Sequence, residues 1–153
     1  MSDLNVERVG GLVTDALERI AFLISEPDDS VTGLPGGELR HARVRVRGAS
    51  QGELVISADE GFMMTLAASF LGVEPDEVEA AAGEDALREL ANITGGLIVS
   101  EIGGETSKVV LGLPELLDAG AAPWPDGKVA GNVGLLCEGN RLNLSWIGFA
   151  RAA

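Results

Sequence analysis

From residue 4 to 24 apolar side chains recur at helical spacing: Val9, Leu12, Val13, Ala16, Leu17, Ile20 and Ile24. The spacing predicts an amphipathic helix with one face turned to a core, although Gly10-Gly11 weakens its start. Residues 26–37 (EPDDSVTGLPGG) are dense in turn formers and predict a loop. The period then changes to two. From His41 to Gly48, Ala42, Val44 and Val46 face one way while His41, Arg43, Arg45 and Arg47 face the other, the pattern of a half-buried strand. Gly48 to Gly52 turns the chain into a second strand, Glu53 to Ser57.

Ser57 precedes Glu60 by three, a capping-box spacing, so a helix opens there. Its buried side would hold Phe62, Met63, Leu66, Ala67 and Phe70, and it would end near Gly72. Pro75-Asp76 starts a further helical stretch, which Gly83 is expected to interrupt. The strongest helix runs from about 85 to 102, and Gly103-Gly104 stops it. Lys108 to Leu113 reads as a strand closed by Pro114, and residues 119–127 as a loop that carries Trp124. Val129 to Cys137 and Leu142 to Phe149 read as two strands, with Glu138-Gly139-Asn140-Arg141 as the tight turn between them.

A faint repeat accompanies this order. Asp15-Ala16-Leu17-Glu18-Arg19-Ile20-Ala21-Phe22 matches Asp85-Ala86-Leu87-Arg88-Glu89-Leu90-Ala91-Asn92 at the Asp, the first two Ala-Leu positions and the second Ala. Each copy is a helix followed by strands. The expectation is one α/β (α+β) domain over residues 1–153, with two similar halves sharing a mostly antiparallel sheet on which the helices pack.

Composition narrows the partners. Apolar residues are 46% and aromatics only 4%, with no Tyr, so Leu, Val, Ile and Ala must build the core. The net charge of −13 repels phosphate backbones and anionic lipid, which disfavours nucleic acid and membrane surfaces as partners. One cysteine, Cys137, leaves no internal disulfide and no paired-cysteine metal site. One histidine, His41, cannot complete a zinc constellation. Cys137 ends an apolar run and is expected to be a buried, inert thiol. Without a basic, apolar leader at the N-terminus, a cytoplasmic location is expected. The positive stripe of His41, Arg43, Arg45 and Arg47 reads as a solvated or carboxylate-paired strand face rather than an anion site. Gly95-Gly96 and Gly103-Gly104 lack the arrangement of a phosphate loop.

The chemistry concentrates on the long helix. At about 100° per residue, Leu87, Leu90, Ala91, Thr94 and Ile98 share one arc, with Leu97 at its edge. Asp85, Glu89, Asn92 and Gly96 fall on the opposite side, so three polar groups form a ridge at i, i+4 and i+7. A rigid helix holds such groups at fixed separation.

Asp85-x3-Glu89-x2-Asn92, followed by Ile93-Thr94-Gly95-Gly96, resembles the (Asp/Ser)-x3-Glu-x2-Asn signature of the CheC/CheX/FliY phosphatases, and the order of elements agrees across most of the chain. The resemblance implies hydrolysis of a phosphoaspartyl CheY-like response regulator in chemotaxis or related two-component signalling. On that reading Asn92 orients the attacking water, Glu89 contacts the receiver's active-site lysine, and Asp85 supports them. No cofactor belongs to the chain itself, and Mg2+ sits on the partner receiver domain. In the repeat as aligned, Arg19 and Phe22 stand opposite Glu89 and Asn92, so one site remains. This single site is most similar to CheX, which implies a homodimer joined through its sheets. The alternative is a non-catalytic binding module of the same fold in a signalling or flagellar-switch complex.

Overall fold

The computed structural model describes residues 5–28, 39–47, 51–103, 110–117 and 131–149. Helix α1 (Val6–Ala21) opens at Asn5, whose side-chain oxygen accepts the Arg8 backbone N–H at 2.8 Å. It buries Val9, Leu12, Val13, Ala16 and Leu17 of the predicted stripe, whereas Ile20, in the last turn, and Ile24, beyond the helix end, are exposed. It closes at Phe22, which is left-handed at φ 58, while Leu23 N–H bonds the Leu17 carbonyl at 3.0 Å. Glycine usually takes that position, because a Cβ in left-handed geometry costs roughly 1–2 kcal/mol.

The chain then enters β1 (Ser25–Pro27), where a loop was expected. Its turn formers are tolerated because β1 is an edge strand, whose outer side donates to no neighbour among the described residues. Strands β2 (Arg40–Arg47) and β3 (Gln51–Ala58) follow, then α2 (Glu60–Leu71). The cap of α2 is Asp59, not Ser57: its carboxylate accepts Phe62 N–H at 2.9 Å. Ser57 is buried in β3, with its Oγ 2.7 Å from His41 Nδ1, and so is not available to cap. Gly72, at φ 70, ends the helix.

After a 3-10 turn at Pro75–Glu77, α3 (Ala80–Gly103) runs unbroken through Gly83. Gly83 is a contact point rather than a break: a Cβ there would sit 3.3 Å from Met63 Cβ, so its bareness lets α2 and α3 approach. Of the strand expected over 108–113, β4 (Val110–Leu111) is formed, and a further short strand not expected, β5 (Glu115–Leu116), follows Pro114. Gly112-Leu113-Pro114 separates them, since Pro cannot donate to a ladder. Strands β6 (Gly131–Cys137) and β7 (Asn140–Phe149) close the chain. Their turn is two residues, Glu138 at φ 48 and Gly139 at φ 80, a pair of positive values that matches the twist of a hairpin. Asn140 and Arg141, expected in the turn, belong to β7. The loop over 119–127, with Trp124, lies outside the described residues.

The sheet runs β1-β6-β7-β3-β2-β4, with β5 also on β2, and every described pair is antiparallel. Two halves are visible, α1-β1-β2-β3 and α3-β4-β5-β6-β7. They meet where β3 pairs β7, from Gln51↔Phe149 to Ala58↔Leu142. Each half lends its edge strand to the other: β1 pairs β6, while β4 and β5 pair β2.

The helices cover one face, over Ala42, Val44, Leu54, Ile56, Leu142 and Leu144. Helix α1 follows β6, with Val6 at Gly131 and Gly10 at Val133. Helix α3 follows β2, with Glu84 paired to Arg40 at 2.7 Å and Gly95 against Val44. Because β2 and β6 run oppositely, α1 and α3 are antiparallel, and an Arg8–Glu101 ion pair joins one pair of ends.

The other face is polar. Arg43 pairs with Glu115 at 3.1 Å and Arg45 with Glu53 at 2.8 Å, so much of the basic stripe is neutralised in place. Ser145 Oγ donates to Asn132 Oδ1 at 2.7 Å. Burial, reinforced by the charge of Arg40, lowers the pKa of His41 from its ordinary 6.5. Its neutral form therefore favours the fold fully above that value, and the benefit is lost as pH falls from about 6.5 towards the depressed folded value. Thermal unfolding at pH 7.5 and 5.5 should show a larger drop for the native chain than for His41→Asn. Equal drops would mean that His41 takes up its proton in the folded protein as easily as in the unfolded one.

Candidate functional site

Helix α3 places the sequence-predicted residues as their periodicity requires. Leu87, Leu90, Ala91, Thr94 and Ile98 are buried, and Leu97 is partly so. On the outer ridge Asp85 and Glu89 are exposed, and Asn92 and Gly96 are half-buried. Consecutive ridge residues sit about 5–6 Å apart at Cβ, within the span of one phosphoryl group and its attacking water.

The three polar groups differ in their engagements. The Asp85 carboxylate accepts from Arg88 at 2.7 Å along the same helix, so it is tied to its own chain. Among the described residues neither the Glu89 carboxylate nor the Asn92 carboxamide has a side-chain partner. Exposed groups of this kind are hydrated and free to engage an incoming molecule. Behind them the helix is seated on the sheet at Gly95, where a Cβ would fall 2.5 Å from Leu111 Cδ1 and 3.2 Å from Val44 Cγ1. That close seating fixes the height of the ridge above β2. Cys137 is buried, and burial, with the nearby charge of Glu138, pushes its thiol pKa up to about 11. It is the unreactive thiol its apolar run predicts.

The structure offers a second register for the internal repeat beside the one the sequence suggests. The two halves align through their helix ends, Ala21 with Gly103, an offset of 82. The buried positions Val9, Leu12, Val13 and Ala16 then coincide with Ala91, Thr94, Gly95 and Ile98, which are also buried. Pairing Asp15 with Asp85 sets an offset of 70, which would put Val9 opposite exposed Glu79. At the offset of 82, Glu7 and Gly10 stand opposite Glu89 and Asn92, where the offset of 70 places Arg19 and Phe22. Read at the offset of 82, Asp3-x3-Glu7-x2-Gly10 is the same spacing with the carboxamide missing. The signal lay in Gly10-Gly11, which sequence reasoning took only as a weak helix start. Gly10 is buried, and a Cβ there would meet Val133 Cγ1 at 3.2 Å, so α1 lies too low on β6 to carry an Asn at this position without moving. Neither offset places an Asn in the first half opposite Asn92.

Among the described residues no group of three metal-ligating side chains occurs, and no helix is long and apolar enough to cross a membrane. An antiparallel sheet of exchanged edge strands under a long helix with an exposed acid-amide ridge defines the CheC/CheX class of fold. The family model described as "Chemotaxis phosphatase CheX" matches residues 41–138, and the chain belongs to that family. Solved structures share the fold. The chemotaxis protein CheX from Desulfovibrio desulfuricans superposes with a TM-score of 0.68 at 12% identity, covering 94% of this chain and 98% of that one. A chain of the CheX–CheY–BeF3–Mg2+ complex from Borrelia burgdorferi gives 0.65 at 13% identity, covering 96% and 99%. FliY from Thermotoga maritima gives 0.59 at 17% identity, covering 90% and 83%. No curated protein matches in sequence.

Proposed function

We propose that this chain is a phosphatase that hydrolyses the phosphoaspartate of a CheY-type receiver domain by inserting the α3 ridge into the receiver's phosphorylation site. The observation that carries the reading is the exposed Glu89–Asn92 pair, without partners among the described residues, on a helix seated rigidly by Gly95. The Asn92 carboxamide accepts one hydrogen bond from a water and donates to another acceptor, so it can hold that water on the line of attack. The water oxygen forms a bond to phosphorus while the bond to the aspartyl oxygen breaks, which leaves a free carboxylate and dihydrogen phosphate. Such a transfer depends mainly on positioning and charge stabilisation. Glu89 would pair with a receiver lysine and fix the docking register. Asp85, held by Arg88, supports the first turn of the ridge. Mg2+ would belong to the receiver, where it offsets charge on the phosphoryl oxygens.

The family supports this reading, and so does the CheX–CheY complex among the structures of the same fold. On this reading the protein works in the cytoplasm, in chemotaxis or a related two-component pathway. A homodimer joined through sheet edges belongs to it as well, and Val110 and Leu113 are strongly exposed at the β4–β5 edge. Light scattering that gave the mass of one chain would remove that part.

The test is the decay of acyl phosphate on a panel of receiver domains from the same organism, with and without the chain. Faster decay on one receiver supports hydrolysis. The second reading is a binding module of the same fold without turnover, and tight binding with an unchanged phosphoryl lifetime would select it.

A further inference from the structure

The end of the helix layer near the start of α3 carries an apolar group that the core does not use. Helix α1 is antiparallel to α3, so its C-terminus lies at the end where α3 begins. Helix α2 joins them: Ser69 Oγ donates to the Ala21 carbonyl, and Met63 and Met64 pack against Gly83. At this junction Ile20, Phe22, Leu71 and Val73 are all exposed, Phe22 by 83% and Leu71 by 62%. Carboxylates outnumber cations around them, with Glu18 one turn before Phe22 and Glu74, Asp76 and Glu77 directly after Val73 against the single cation Arg19 beside Ile20, all exposed.

Phe22 is the telling member. It occupies the left-handed closing position of α1, where glycine fits without strain, and its ring gains almost no burial there. A strained backbone with an exposed aromatic ring has no folding benefit to account for it, and such positions concentrate at binding sites. Exposed Phe is also a common anchor in the centre of interfaces.

We infer that Phe22, with Ile20, Leu71 and Val73, is a second docking point for the receiver domain, a hydrophobic anchor beside the α3 ridge that accepts an apolar patch flanked by Lys or Arg. This rests on the phosphatase reading and adds to it: the ridge supplies the chemistry and the anchor supplies affinity. The acidic rim selects a partner surface of opposite charge, and it disfavours a second copy of this chain, whose own patch has the same acidic rim.

The experiment measures receiver dephosphorylation at varied receiver concentration, binding to the beryllofluoride–Mg2+ form of the same receiver, and the melting temperature. The variants are Phe22→Ala, Phe22→Asn and Asn92→Ala. Both Phe22 variants should raise KM and weaken binding about tenfold, leave kcat unchanged, and melt no lower than the native chain, Asn being at ease in left-handed geometry. Unchanged KM and binding would overturn the anchor. So would a rise in KM accompanied by a fall in melting temperature, which marks a packing role, and so would a change in oligomeric mass, which marks an interface between copies. If Asn92→Ala abolishes turnover while the Phe22 variants bind normally, hydrolysis stands and the anchor falls. If the native chain neither binds nor dephosphorylates any receiver, both fall.

Discussion

Asn92→Ala should slow receiver dephosphorylation on the order of 100-fold while leaving binding to the phosphorylated receiver nearly intact. The size follows from what the carboxamide does: losing the group that holds a water in line costs what a misplacement of about 1 Å costs. Binding should survive because Asn92 is only half-buried, makes no hydrogen bond to a described side chain, and leaves Glu89 in place. Stability should also survive, since Ala is the better helix former and the core face of α3 is untouched. Asn92→Asp is the sharper variant. It keeps the shape but sets a negative charge against a phosphoryl group, so it should fall at least as far as Ala. Single-turnover decay of the labelled acyl phosphate separates the two quantities, and a native rate in either variant would refute the water-orienting role.

A stability loss of about 3–5 kcal/mol is expected for Phe62→Ala. Phe62 is the largest fully buried side chain among the described residues, 0% exposed, and it lies in the first turn of α2 beside the Asp59 cap. Removing its ring leaves a cavity where α2 meets the sheet, and the backbone there is held by the cap and cannot readily collapse to fill it. Against a typical total of about 5–15 kcal/mol for a domain, this is a large fraction. The denaturant midpoint should move strongly with little change in slope. Phe22→Ala is the matched control: the same atoms leave the surface, and the midpoint should hold. A Phe62 variant as stable as the native chain would mean that the core repacks around the gap.

The α3 ridge was readable because one long helix carries both its faces in its own periodicity. Leu87, Leu90 and Ile98 announce the buried side, and Glu89 and Asn92 then have only one place to be. Strands β2, β3, β6 and β7 were readable for the same local reason, alternation or a continuous apolar run between turn residues. The errors share a different cause. Asp59 replaced Ser57 as the α2 cap because Ser57 has a long-range partner in His41. Gly83 stayed helical because Met63 packs on it. Strand β1 exists only because β6, more than a hundred residues later, pairs with it. The register of the repeat was not legible because Asp15 to Ala21 and Asp85 to Ala91 share a helical pattern that any two amphipathic helices share. The helix ends and the burial of Val9 and Leu12 favour the offset of 82. Each miss concerns a contact between distant parts of the chain, which spacing along the chain does not encode.

The exchanged edge strands have a consequence for how the protein is made. The first half leaves the ribosome with β1 unpaired and β2 open along one side, because their neighbours β6, β4 and β5 have not yet been synthesised. It must wait, exposed, until about residue 137 has emerged before Ser25 can find Cys137. Folding is therefore late and dominated by pairings far apart in sequence, which are slow to form. The two halves should rise and fall together in one transition, and a chain cut between α2 and α3 should yield two fragments that fold only when mixed.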